Sequence, residues 1–131
     1  MKKLVFPIFL SVFLFGCNDE KTLEVNSMNG QEVEEVTTIM KNEDDIYSGR
    51  AILVEDQLLV AIQAKPWLDY KKTKIEKNLK KKLEESFPEY DITVSSDFKL
   101  YWEAQKLITE EDSEKVKKQL NKLKKLKKEE T

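Results

Sequence analysis

Cys17 is the only thiol among 131 residues, and the chain contains no histidine. A single thiol excludes an intramolecular disulfide, a CxxC redox pair and a multi-thiolate metal site. Without imidazole there is no Ser-His-Asp or Cys-His nucleophile pair, no His-bearing zinc site and no ordinary general base near neutral pH. What remains is modification of the one thiol, acid–base work by carboxylates, and the electrostatics of 23 basic against 25 acidic side chains. With so many carboxylates some close pair is expected, and none is singled out for glycan hydrolysis. Glu43-Asp44-Asp45 lacks the alternating ligand pattern of a calcium loop. No catalytic residue, metal ligand or cofactor is expected, and a binding or structural role is the leading class.

The surroundings of Cys17 point to its use. Lys2 and Lys3 precede a 12-residue apolar run, Leu4 to Phe15, that holds four phenylalanines and is broken only by Pro7 and Ser11. A basic start and an apolar stretch too short for the roughly 20 residues of a membrane-crossing helix describe a secretory signal. Leu14-Phe15-Gly16-Cys17 resembles a bacterial lipobox. That resemblance implies a thioether-linked diacylglycerol on Cys17, removal of residues 1–16, and residence at the extracytoplasmic face of the cell membrane. Each buried methylene contributes about 0.8 kcal/mol, so two acyl chains hold a protein where one does not.

The lysines are the second chemical resource. Lys71, Lys74, Lys77, Lys80 and Lys81, with Lys72 and Lys82, crowd one helical face, where they are candidates for binding anionic lipid headgroups, wall polymers or an acidic protein. Near an anionic membrane each such lysine contributes about 1 kcal/mol. The bland alternative is a solvated face that keeps a small domain soluble. Nucleic acid is not an expected partner, since the chain has one arginine and carries an export signal. Residues 17–64 carry 3 basic and 11 acidic side chains, net −8, and residues 65–131 carry 18 and 14, net +4, so the two halves should attract. Trp67, Tyr70, Tyr101 and Trp102 flank helix starts, where aromatics usually anchor the core; as a surface patch they would suit glycan or peptide.

The elements that must position these residues follow from periodicity. Residues 17–31, polar with isolated Leu23, Val25 and Met28, have linker composition and predict a tether. Val33, Val36 and Met40, behind an acidic first turn, predict a short helix. Ala51–Val54 and Leu58–Ile62 predict two strands joined by a three-residue turn, Glu55-Asp56-Gln57. Pro66 opens the next regime, and Ile75, Leu79, Leu83 and Phe87 recur every four residues until Pro88. Asp91–Ser95 alternates as a half-buried strand with Ile92 and Val94 inward, and Ser96 or Asp97 can cap a helix from Phe98 to about Ile108. Thr109–Asp112 reads as a capping box for a last helix in which eight lysines between Lys115 and Lys128 outnumber the apolar residues, predicting a frayed, solvated end. The sum is an α+β domain, αββαβα, with a three-stranded sheet and helices on one face, divided into residues 1–16 (signal), 17–31 (tether), 32–108 (domain) and 109–131 (basic helix).

The hairpin segment Leu59-Val60-Ala61-Ile62, the lysine-rich helix after it, and Val94-Ser95-Ser96-Asp97 before an aromatic-bearing helix resemble, in that order, the YhcN/YlaJ sporulation lipoproteins. The likeness covers about residues 30–108, plus the lipobox. It implies a membrane-anchored, non-enzymatic protein of the spore, acting in germination or outgrowth, with an envelope or spore protein or an anionic polymer as partner. The acidic turn, without the glycine or asparagine expected there, departs from the pattern. A broader likeness to small αββαβ envelope modules of the BON type is one of fold only.

Overall fold

A computed structural model describes residues 21–28, 30 and 32–130. Along the chain come β1 (Thr22–Ser27), α1 (Val33–Lys41), β2 (Ile46–Val54), β3 (Gln57–Ala64), a 3-10 helix (Pro66–Lys71), α2 (Lys72–Ser86), β4 (Asp91–Ser95), α3 (Phe98–Leu107) and α4 (Ser113–Glu130). The strands form one mixed sheet in the order β1-β2-β3-β4. β2 and β3 are antiparallel, while β1 runs parallel to β2 and β4 parallel to β3. Thr22 pairs with Ser48, Ala64 with Ile46, and Ser95 with Ala61. β1 and β2 therefore start, and β3 and β4 finish, at one end of the sheet, here called proximal. The β2–β3 hairpin turns at the distal end.

The α+β class expected from the pattern holds, with four corrections. The sheet has four strands, because Thr22–Ser27 lies inside the stretch read as tether. Its isolated Leu23 and Val25 sit two apart, the strand period, and both pack on the core beneath α1. Lys21 secures the start of this strand: its Nζ donates to the carbonyls of Lys41 (2.8 Å), Met40 (3.2 Å) and Glu43 at the end of α1. Burial holds the Lys21 pKa below the ordinary lysine value, against the opposing pull of Asp44.

Second, helices cover both faces. On one, Val36 and Met40 of α1 and Ile75, Leu79 and Leu83 of α2 bury against Ala51, Leu53, Leu58, Val60, Ile92 and Val94. On the other, Leu100, Tyr101 and Ala104 of α3 and Val116, Leu120 and Leu123 of α4 bury against Ile52, Val54, Leu59 and Ala61. Strands apolar at every position need both faces covered. Third, the last helix is therefore part of the fold: Val116 and Leu120 have no exposure. Asp112, not a box on Thr109, caps it, its Oδ1 accepting from the N–H of Glu114 (3.1 Å) and Lys115 (3.4 Å). Fourth, the hairpin turn has two residues, since Val54 already pairs with Gln57. Glu55 takes the left-handed conformation at φ +53° that glycine usually supplies.

Where α1 crosses β2 the helix comes close to the sheet. A Cβ on Gly49 would lie 3.0 Å from the Met40 sulfur, so the absence of a side chain there lets Met40 reach zero exposure. Arg50, the only arginine, is also buried: its Nε lies 2.9 Å from Oε1 of Glu24 on β1, and its guanidinium carbon 4.9 Å from the Tyr101 ring centre. The charge asymmetry is realised in contacts, with Glu43–Lys82 and Glu55–Lys117, each 3.0 Å, joining the acidic and basic halves.

Candidate functional site

Burial of Ile75, Leu79 and Leu83 fixes how α2 turns its lysines. At 3.6 residues per turn, Glu76, Lys77 and Lys80 fall on the side towards β4, and Lys74 and Lys81 on the opposite flank of that stripe. Lys71 ends the 3-10 helix before it, and Lys82 is taken by Glu43. The lysine face expected as one surface is thus divided, and only Lys77 and Lys80 of the five candidates meet the groove described next.

On the other side of the sheet, Val116, Leu120 and Leu123 dock α4 so that Lys124, Lys127 and Lys128 reach the same strand edge. Together the two helices wall a groove of about 400 Å³ along β4. Its floor is Asp91 to Val94. The Asp91 N–H bonds the Asp56 carbonyl (2.8 Å), so in a parallel ladder Ile92 and Val94 turn their backbone N–H and C=O outward to the groove. Among the described residues, five ammonium groups and two carboxylates, Glu76 and Asp91, line this space. Lys127 pairs with Glu76 at 2.7 Å, Lys124 pairs with Asp91, and Lys124 lies 3.4 Å from Oε1 of Gln57. The surplus of positive charge suits an anion, and the outward backbone and open shape suit an extended one.

Sequence reasoning missed Lys124, Lys127 and Lys128 because it assigned the terminal helix to solvent. The signal was present: Val116, Leu120 and Leu123 sit at spacings of four and three, enough to turn one face onto a sheet. The segment Val94-Ser95-Ser96-Asp97 is accounted for by local structure. Ser95 Oγ accepts from the Asp97 N–H (3.0 Å), Ser96 donates to Glu76, and Asp97 Oδ2 accepts from the Leu100 N–H (3.0 Å) to cap α3.

A second cleft, of about 340 Å³, lies between α3 and α4 and is lined by Glu103, Lys106, Glu110 and Lys115. Its carboxylates are engaged by Lys106–Glu103 (3.3 Å) and Lys115–Glu110 (3.4 Å). Among the described residues, no group of three or more Cys, Asp or Glu side chains is placed to hold a metal ion, and no helix is long and apolar enough to cross a membrane. The aromatics divide: Tyr101 is buried beside Arg50, while Trp67, Tyr70 and Trp102 are exposed, contrary to the expectation of core anchors. Cys17 and residues 1–16 lie outside the described residues. Comparison with family models, with curated proteins and with solved structures finds no match for this chain.

Proposed function

We propose that this chain is a membrane-anchored bacterial lipoprotein of the YhcN/YlaJ sporulation type, a non-enzymatic binding module with a role in the spore during germination or outgrowth. Supporting the anchor is the lipobox-like Leu14–Cys17 segment behind a basic and apolar leader. The observation that carries the binding role is the convergence of Lys77, Lys80, Lys124, Lys127 and Lys128 from two helices on one strand edge. Such a cluster repels itself unless an anion or fixed carboxylates offset it, and Asp91 and Glu76 do so for Lys124 and Lys127.

A second reading, a general envelope lipoprotein whose lysines engage anionic lipids, wall polymers or an acidic partner, draws on the same groove. One experiment bears on both. Full-length protein is titrated with teichoic acid, and compared with Lys77→Glu/Lys80→Glu. The doubly reversed protein is expected to bind more weakly and with a shallower salt dependence; unchanged binding removes the groove from the function. Abundance in the developing spore, against equal abundance in vegetative cells of an organism that forms none, separates the two readings.

A further inference from the structure

Five large apolar side chains are exposed among the described residues: Tyr47 (44%), Trp67 (70%), Tyr70 (82%), Phe98 (61%) and Trp102 (49%). The topology brings all five to the proximal end of the sheet. Tyr47 is at the start of β2, Trp67 and Tyr70 are in the 3-10 helix that follows β3, and Phe98 and Trp102 occupy the first two turns of α3, which follows β4. Phe98 and Trp102 stack edge to face, ring centres 5.8 Å apart, and the Lys65 amine lies 5.9 Å from the Trp67 ring centre. Soluble surfaces seldom gather their exposed aromatics in this way, and Trp and Tyr favour the boundary between water and lipid because one end of the ring system is apolar and the other polar.

We infer that the proximal end is a lipid-docking surface, and that its occupant is the bilayer interface that receives the acyl chains on Cys17. This rests on the anchored reading of Cys17. Only three residues separate Cys17 from Lys21, whose amine is fixed on the last carbonyls of α1 at this same end. At about 3.3–3.6 Å per residue the four steps span at most about 14 Å. β2, with nine residues, extends the sheet by about 30 Å at roughly 3.3 Å per residue, so an anchored domain brings its proximal end to the membrane and holds its distal end away.

Charge reinforces this orientation. Lys41, Lys65, Lys71, Lys72, Lys74 and Lys99 belong to proximal segments, with Glu43, Asp44, Asp45, Asp69 and Asp97 among them, whereas Glu55, Asp56, Glu84, Glu85 and Glu89, with Lys81, Lys82 and Lys117 among them, lie distally, at the hairpin and the end of α2. An anionic leaflet attracts the first group and repels the second. With that end down, the β4 groove stands on the flank of the domain, open to an anion that does not belong to the membrane.

The chain supplies its own probes, since Trp67 and Trp102 are its only tryptophans. Full-length protein is mixed with vesicles of phosphatidylglycerol and phosphatidylethanolamine whose acyl chains carry bromine close to the glycerol. Its fluorescence is expected to shift to the blue and lose intensity, and each single variant, Trp67→Phe or Trp102→Phe, to keep quenching at the remaining tryptophan. A triple variant, Trp67→Phe/Trp102→Phe/Glu85→Trp, reports from the distal end and is expected to remain unquenched. Intact mass, read in parallel, tests the anchor separately. Protein that carries the diacylglycerol and stays with the vesicles while Trp67 and Trp102 remain unquenched overturns the docking surface and leaves the anchor standing. Quenching of unlipidated protein supports the surface and removes the anchor. Equal quenching from Glu85→Trp overturns the orientation.

Discussion

Lys127 of α4 reaches around the free edge of β4 and sets its Nζ 2.7 Å from Oε1 of Glu76 on α2, the two side chains being 23% and 14% exposed. The other Glu76 oxygen accepts from the backbone N–H of Ser96 (2.6 Å) and from its hydroxyl. One carboxylate thus ties together the helical layers on opposite faces of the sheet and the junction between β4 and α3. The clamp joins the two layers at one point of the edge strand and leaves the groove along Asp91 to Val94 open beside it.

Unequal costs are expected on opening the clamp from its two sides. Glu76→Ala leaves a lysine and two Ser96 donors without their acceptor and should lower stability by about 2–3 kcal/mol. Lys127→Ala removes one partner from a carboxylate that retains Ser96, and should cost about 1 kcal/mol. Urea unfolding of the two variants measures the difference. Equal losses would show that the Ser96 arm contributes nothing.

Docking of the terminal helix has a direct measure in Leu120, which has no exposure and lies in the core on the α3 side of the sheet. Leu120→Ala should destabilise the whole domain by about 2–5 kcal/mol, the range for emptying a core leucine site. A frayed, solvated helix predicts a change within about 0.5 kcal/mol. The loss should appear in a single cooperative transition, because α4 shares its core with β2 and β3.

The same helix marks where sequence reading was strong and where it failed. The buried stripe of α2, the inward Ile92 and Val94, and a cap at Ser96 or Asp97, which Asp97 supplies, are all legible because each is a local period or a local hydrogen bond. β1 and α4 were read as solvent-facing because their apolar residues are few among charged neighbours. What such residues gain depends on the surface they meet, and that surface is remote in sequence: Val25 lies beside Ala51, and Leu123 shares a core with Leu59 and Ala61. The clue to two helical layers lay in Ala51–Val54 and Leu58–Ile62, apolar on both strand faces. For the groove, the lysines of α2 were legible as a basic face, but their division around Ile75, Leu79 and Leu83 and their convergence with α4 required the topology.

Gly49 tests how tightly α1 is held. Its missing side chain leaves the Met40 sulfur 3.0 Å from where a Cβ would stand, with a Leu23 methyl at 3.4 Å. Gly49→Ala should cost about 1–3 kcal/mol through overpacking. In a Met40→Ala background the same substitution should cost measurably less, since the nearest atom is gone. A double-mutant cycle reads that coupling; additivity would show that the contact imposes no strain.

Acid unfolding should report on the start of α4. Glu110 Oε2 accepts from the N–H groups of Glu111 (3.2 Å) and Asp112 (3.3 Å), and Oε1 lies 3.4 Å from the Lys115 amine. The backbone N–H of Asp112, with lesser help from Lys115, holds the Glu110 carboxyl below the ordinary glutamate pKa. A carboxyl whose pKa is lower folded than unfolded binds fewer protons in the native state, so its stabilisation is present above the unfolded pKa and fades as pH falls through the folded one. Glu110→Gln lacks that stabilisation at every pH. The variant should therefore be less stable than the parent chain at pH 7, with the gap closing as the solution is taken below the folded pKa. Chemical unfolding at a series of pH values measures the gap, and a gap that is constant with pH would place the effect in the neutral side chain, not in its charge.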